Sequence, residues 1–288
     1  MSRTETALGL EGRRGPLALL VKVVLYALVV FVFAGPLVAL LLSSFNRVGD
    51  ASRFTILPDH PTLINYDAAV RKHALLMLLR NSLLVAGGGL LLQVTVTVFA
   101  AYALARKRFR GAAVVLVLIL STMMLPEEIL AIPLSLVLGD LPLLHVDLIG
   151  SLWGMIIPVG AWAVSIVVMT EFMKEIPIEL EEAARIDGAG ELRVFASVIL
   201  PLCRPALGIV GILGFAMIWD QYMLPLLVAK DYHQYTLPLA LRTLRTDDQV
   251  GIGVLLAAAA LALLPSVAVF LAFQRQFMTG LTSGAVKG

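Results

Sequence analysis

The chain is expected to be an all-α integral membrane protein that crosses the bilayer six times, and three observations predict it. Hydrophobic residues fill 59% of its 288 positions and charged residues only 15%, against roughly 25% in soluble domains. Apolar runs long enough to cross about 30 Å of hydrocarbon recur near 17–42, 82–105, 112–138, 149–170, 205–229 and 251–274. Lysine and arginine are spread unevenly over the connections between these runs, as a fixed topology requires. No internal repeat is visible, and 1–288 reads as a single transmembrane domain.

The run 17–42, interrupted only by Lys22, is too long for the core of a signal peptide and reads as an uncleaved first span. The second opens on "NSLLVA", contains Gln93, and closes on "AYALARKRFRG". Pro126, Glu127, Glu128 and Pro133 interrupt the third, which is expected to be kinked or broken. The fourth carries Trp162, the fifth carries "FAMIWDQYMLP", and the sixth leads into "GLTSGAVKG".

With the N-terminus inside, the inner segments hold Arg3, Arg13, Arg14, the cluster Arg106 to Arg110, Lys174, Arg185, Arg193, Arg204, Arg275 and Lys287. That is thirteen basic residues against eight in the outer segments, so both termini and the loop 171–204 are assigned to the cytoplasm. A net charge of +2 points to no nucleic acid. The single cysteine, Cys203, forms no internal disulfide and reads as a small packing residue. His60, His73, His145 and His233 are scattered over outer segments without metal-ligand spacing, so no metal site is expected.

The loop 171–204 is the most informative segment. A helix from Ile178 to Asp187, about 15 Å long, carries acidic residues at its N-terminal end and pairs Glu181 with Arg185 at i,i+4. Gly188 stops it at a left-handed position. A second helix, Glu191 to Leu200, places Leu192, Phe195 and Ile199 on one face against the bundle, and Pro201 ends it. The first helix then presents Glu182, Ala183 and Ala184 outward, where the small alanines admit another backbone. Pattern alone leaves two readings, a docking helix or an amphipathic helix that only stabilises the loop.

Written out, Glu182-Ala183-Ala184, three residues, Gly188, nine residues, Val198, one residue, Leu200-Pro201 resembles the EAA signature of permease subunits in bacterial ABC importers, with Val198 where isoleucine is usual. "NSLLVA", "AYALARKRFRG" and "GLTSGAVKG" are similar to the carbohydrate-importer, MalG-like branch. The resemblance runs from about Leu57 to the C-terminus. It implies a type I ABC importer permease fold in the cytoplasmic (inner) membrane of a prokaryote. It also implies that the loop couples to a cytoplasmic ATPase through Glu182, Ala183, Ala184, Asp187 and Gly188, with Lys287 of the tail beside it.

The chain has no G-x-x-x-x-G-K-[ST] loop, so ATP and magnesium are expected on partner ATPase subunits, and this chain is expected to hold no cofactor and no catalytic residue. Six spans without a repeat make one wall of an alternating-access path. A second six-span chain is therefore expected, and the resemblance makes it a different subunit. Two ATPases and an extracytoplasmic solute-binding protein complete the expected partners. The outer segment 230–249, with its aromatics and charges, reads either as that protein's landing surface or as a solvated loop.

Carboxylates at membrane depth mark a functional site by default. Asp220, Glu127 and Glu128 lie about equally deep in their runs, with Trp219, Gln221 and Tyr222 flanking Asp220 and with Trp162 and Gln93 added from other spans. Acceptors together with flat aromatic faces suit a hydroxyl-rich solute, so these eight residues are assigned to the substrate path. The competing structural reading has the glutamates capping a restarted helix and Asp220 bonding within the bundle. Relatives often carry asparagine after that tryptophan, where this chain has Asp220. Sugar-like solutes are the first expectation, and a glycerol phosphodiester or an amino compound the alternative. An ion-coupled carrier using Asp220 leaves the EAA loop unexplained, and an enzyme built on Glu127, Glu128 and His145 lacks any nucleophile or metal motif.

Overall fold

A computed structural model of the chain describes residues 16–46, 55–58, 60–247 and 249–285, with the side chains of 16–18 and 275–285 left aside. The described residues are helical, with no strand among them. In order they form α1 (Pro16–Ser44), α2 (Ile64–Arg71), α3 (Leu75–Arg106), α4 (Ala112–Thr122), α5 (Glu127–Gly139), α6 (Leu152–Val159) and α7 (Ala163–Lys174). Then follow α8 (Glu179–Ile186), α9 (Glu191–Val194), a π turn (Phe195–Ile199), α10 (Leu200–Leu202), α11 (Arg204–Trp219) and α12 (Met223–Val228). A 3-10 turn (Tyr232–Gln234), α13 (Leu237–Thr246) and α14 (Ile252–Ala285) complete the chain.

Among the described residues four helical segments, α1, α3, α6 taken with α7, and α14, are long and apolar enough to cross a membrane, and two bent pairs, α4 with α5 and 191–202 with α11, raise the number to six if each is one span. The expected break in the third run is present: α4 and α5 meet at 110° across Met123 to Pro126. Proline cannot continue a helix, and it turns the preceding residue away from the helical region. The fifth run departs from its expected course over 205–229, because α11 ends at Trp219 and only the short α12 resumes at Met223. The second run begins seven residues earlier than expected, at Leu75.

Two compact units divide the chain, one of residues 1–69 with 248–260, the other of 70–247 with 261–288. In the first, α1 presents apolar side chains all round, as a helix bathed in lipid does. Lys22 lies over the Tyr26 ring at 5.9 Å near its start, and a hydrogen-bonded polar group gathers at its C-terminal end. There Asn65 donates to the carbonyls of Ser44 and Asn46 at 2.8 and 2.6 Å, and the Ser44 and Tyr66 hydroxyls lie 2.6 Å apart.

The second unit is organised around α3, against which α6, α7 and α11 pack. One core cluster joins Val98 and Ala101 of α3, Met169 and Met173 of α7, Phe195 and Ile199 of the π turn, and Cys203, Ala206 and Val210 beside or within α11. The hydroxyls of Thr97 and Ser165 satisfy each other at 2.7 Å within the α3 to α7 contact. Phe195 stacks on Phe99 at 5.3 Å and meets Tyr102 at 4.9 Å. This core sets the loop after α7 against the C-terminal end of α3.

Candidate functional site

α8 carries the EAA residues on a rigid support. Its C-terminus is closed by a Schellman motif: Ala189 N–H donates to the Ala184 carbonyl at 3.0 Å and Gly188 N–H to that of Arg185 at 3.0 Å. The motif needs a left-handed residue at 188, and Gly188 has φ +85°. The sequence therefore stops α8 where the glycine predicts.

Glu181, the residue before the motif, is buried at 1% exposure, while Glu182, Ala183, Asp187 and Gly188 are exposed and Ala184 is partly so. The Glu181 carboxylate lies between two guanidinium groups, with Arg106 Nε 3.0 Å from Oε1 and Arg185 Nη2 3.2 Å from Oε2. The contact with Arg106 is an ion pair by distance, off the line of a hydrogen bond. Arg106 also donates from Nη2 to the Ile176 carbonyl at 2.5 Å. A burial this complete is tolerable for a carboxylate only because both charges are matched.

A second, exposed cluster reinforces the first. Glu191 accepts from Lys107 and, at 3.2 Å, from the Tyr102 hydroxyl, and lies 3.3 Å from Arg185. The Lys107 hydrogen bond holds the Glu191 carboxyl below the usual carboxylate range, and the same bond raises the Lys107 ammonium. The basic cluster expected to set topology thus also grips the loop, a role its position in the sequence does not disclose.

One expected contact fails. Leu192 is 78% exposed and does not join Phe195 and Ile199 on the bundle. A π turn at 195–199 brings positions five apart into line, so Val194 takes the buried place above Ile199 and Leu192 rotates outward. Ile186, at 86% exposure, Ile178 and Leu180 add to the apolar surface of the loop. Lys287 lies outside the described residues.

The substrate-path residues separate into two groups. Glu127, Trp162 and Gln221 line one cavity of about 210 Å³, walled by Leu130, Pro158 and Met217. The α4 to α5 break puts Glu127 on the first turn of α5, the interruption at 160–162 frees Trp162, and the end of α11 frees Gln221. Three helix interruptions therefore converge where irregular backbone lines a cavity. Glu128 is exposed on the same turn, and Asp220 is exposed at the C-cap of α11; neither lines this cavity.

The remaining three have other neighbours. Trp219 is buried against Phe215, rings 5.4 Å apart. Tyr222 lies beneath the guanidinium of Arg242, 4.3 Å from the ring centroid. Gln93 is wholly buried at the α3 to α11 contact, and its amide has no partner among the described residues. Within the outer segment, the described residues 230–247 include α13, which buries Leu237, Leu239, Ala240 and Leu244.

A bundle of apolar helices with a rigid helix presented on one loop, and a small, mostly apolar cavity holding one carboxylate and one amide at its helix breaks, has the make-up of a membrane permease. The chain belongs to the family of binding-protein-dependent transport system inner membrane components, which it matches over residues 71–282. Among its relatives is the melibiose/raffinose/stachyose import permease protein MelC of Bacillus subtilis, 31% identical over 88% of this chain and 91% of that protein. Another is the arabinooligosaccharides transport system permease protein AraQ of Halalkalibacterium halodurans, 31% identical over 91% of this chain and 94% of that one. A solved bacterial ABC transporter involved in the import of the acidic polysaccharide alginate shares the fold, with a TM-score of 0.78, 22% identity, and cover of 96% of this chain and 99% of that one. The protein is accordingly an ABC transporter permease subunit and not an enzyme.

Proposed function

We propose that the chain forms half of the translocation path of an ATP-driven importer for a sugar or sugar-like solute. The observation that carries the reading is the division of labour in α8. Glu181 is locked inward on Arg106 while Glu182, Ala183 and Asp187 face out beside Ile186, so the helix offers a fixed surface to a cytoplasmic ATPase. A rigid helix transmits a push that a flexible loop absorbs. Two ATPase subunits, binding ATP and magnesium, close together and rock the helices between inward-open and outward-open states.

The cavity at Glu127, Trp162 and Gln221 supplies a carboxylate and an amide for hydroxyl groups and an indole face for C–H surface. At about 210 Å³ it is smaller than the roughly 300–1,000 Å³ of complete ligand sites, as one wall of a path is. A second, different six-span chain supplies the other wall, and an extracytoplasmic binding protein delivers solute. Relatives named for oligosaccharide import support the solute class. The assembly sits in the cytoplasmic membrane of a prokaryote, with the 171–204 loop and both termini inside.

Affinity purification of the chain from its native host in mild detergent, with mass spectrometry of every co-purifying polypeptide, tests this. A P-loop ATPase, a second six-span chain and a solute-binding protein carrying sugar are expected. Repeated recovery without an ATPase would sink the reading.

A further inference from the structure

Half of the basic cluster that closes α3 is spent inside the protein and half is not. Arg106 and Lys107 turn to Glu181 and Glu191, whereas Arg108 and Arg110 are exposed and form no hydrogen bond or ion pair among the described residues. Phe109 between them is exposed as well. The turn that carries them is short and held at both ends. Lys107 N–H donates to the Ala103 carbonyl at 3.2 Å, Gly111 takes φ +92°, and Val115 N–H donates to the Gly111 carbonyl at 3.0 Å. Both guanidinium groups therefore sit at a fixed junction of two helices.

α4, which starts at this turn, buries none of its residues and exposes Val114, Val117 and Leu118 along one face. Its 11 residues rise about 16 Å, close to half of the roughly 30 Å hydrocarbon core, before the chain bends by 110°. The hydroxyls of Ser121 and Thr122, at the far end, are satisfied by the carbonyls of Leu118 and Ile119, both at 2.7 Å. α4 is thus an apolar surface one leaflet long with two unmatched cations at one end. That is the complement of a single phospholipid of net negative charge, which brings acyl chains and a compensating phosphate in one molecule.

We propose that the turn 108–111 and α4 form a binding site for an acidic phospholipid of the cytoplasmic leaflet. Arg108 and Arg110 hold its phosphate, Phe109 enters the boundary between headgroup and acyl chain, and the acyl chains lie along Val114, Val117 and Leu118. Arginine suits the task because its planar fork takes two phosphate oxygens at once. The cluster then divides its work, two residues for the 171–204 loop and two for the membrane. The inference goes beyond the importer reading and needs only that 107–111 lies at the inner membrane surface.

The test uses the complex as purified, reconstituted in phosphatidylcholine vesicles that carry a trace of photoreactive lipid, either phosphatidylglycerol or phosphatidylcholine with the same reactive acyl chain. Adducts on the peptide containing α4 are counted by mass spectrometry against those on the rest of the chain. Wild type is expected to favour the acidic lipid on α4 by about fivefold for each arginine. The preference should shrink as salt rises. Arg108→Gln combined with Arg110→Gln is expected to abolish it, and Arg245→Gln, at an exposed site on α13, to leave it intact. Equal labelling by the two lipids in wild type, or a preference that survives the double variant, would overturn the proposal. So would a wild-type α4 that neither lipid labels, since another chain then covers it. The salt series decides the matter even if the double variant does not reconstitute, because a preference indifferent to salt is not held by exposed arginines. Failure of the importer reading is a separate outcome, read from which polypeptides co-purify and not from the adducts.

Discussion

The carboxamide oxygen of Gln93 occupies the space in which a side chain on Gly214 would begin. Glycine at 214 lets α11 approach α3 closely enough to enclose the amide, yet leaves both its polar atoms without a partner among the described residues. An unsatisfied buried amide costs about 1–3 kcal/mol. Gln93→Leu is therefore expected to raise the thermal stability of the purified protein, and Gly214→Val to lower it sharply by forcing the helices apart. A lower melting temperature for Gln93→Leu would mean that the amide is satisfied in the membrane.

Glu181 and Glu191 should respond unequally to loss of charge. Glu181→Gln leaves Arg106 buried with its charge unmatched, a change of about 3–5 kcal/mol when one partner of a buried pair is removed. Limited proteolysis of the 171–204 loop should accelerate in that variant. Glu191→Gln, at an exposed pair, should leave the cleavage rate near wild type. Equal rates for the two variants would contradict the burial assigned to Glu181.

At Gly188 a Cβ meets no neighbour, so any penalty comes from the backbone alone. With φ at +85°, Gly188→Ala should cost about 1–2 kcal/mol, and Gly188→Pro should abolish uptake by removing the N–H bonded to Arg185 and fixing φ elsewhere. Glu182→Lys should also stop uptake, while the protein remains in the membrane. Normal solute uptake by both Gly188→Pro and Glu182→Lys would separate α8 from coupling.

The cavity makes a contrast between Glu127 and Glu128, neighbours of which only the first lines it. Glu127→Gln and Trp162→Ala should raise the KM for solute or change its specificity, and Glu128→Gln should do neither. Asp220→Ala, altering an exposed C-cap residue just outside the same cavity, tests whether the path extends that far. A shift with Glu128→Gln alone would place the path elsewhere.

Much of the loop is legible in the sequence because its signals are local. A glycine after a short acidic helix stops that helix, and an i,i+4 pair of opposite charge forms whatever lies around it. The broken third run is legible for the same reason, since Pro126 acts on its own backbone. What escapes is decided by partners far along the chain. Arg106 reads as a topogenic charge until Glu181 is folded against it, and Asn81 reads as a motif letter until the carbonyls of His233 and Tyr235 arrive. The π turn at 195–199 is not marked in the pattern that predicts a helix ending at Pro201, and it misplaces Leu192, while the helical backbone runs on through Pro201 to Leu202.

Cys203 is the only cysteine in the chain and lies fully buried in the core cluster. Thiol reagents need access to a thiolate, so the native protein offers them no target. A cysteine introduced at Ile186 or Gln221 then becomes the single site for a fluorophore or a bifunctional cross-linker, with no native residue to remove first. The permease is in this sense already prepared for watching its own movements during a transport cycle.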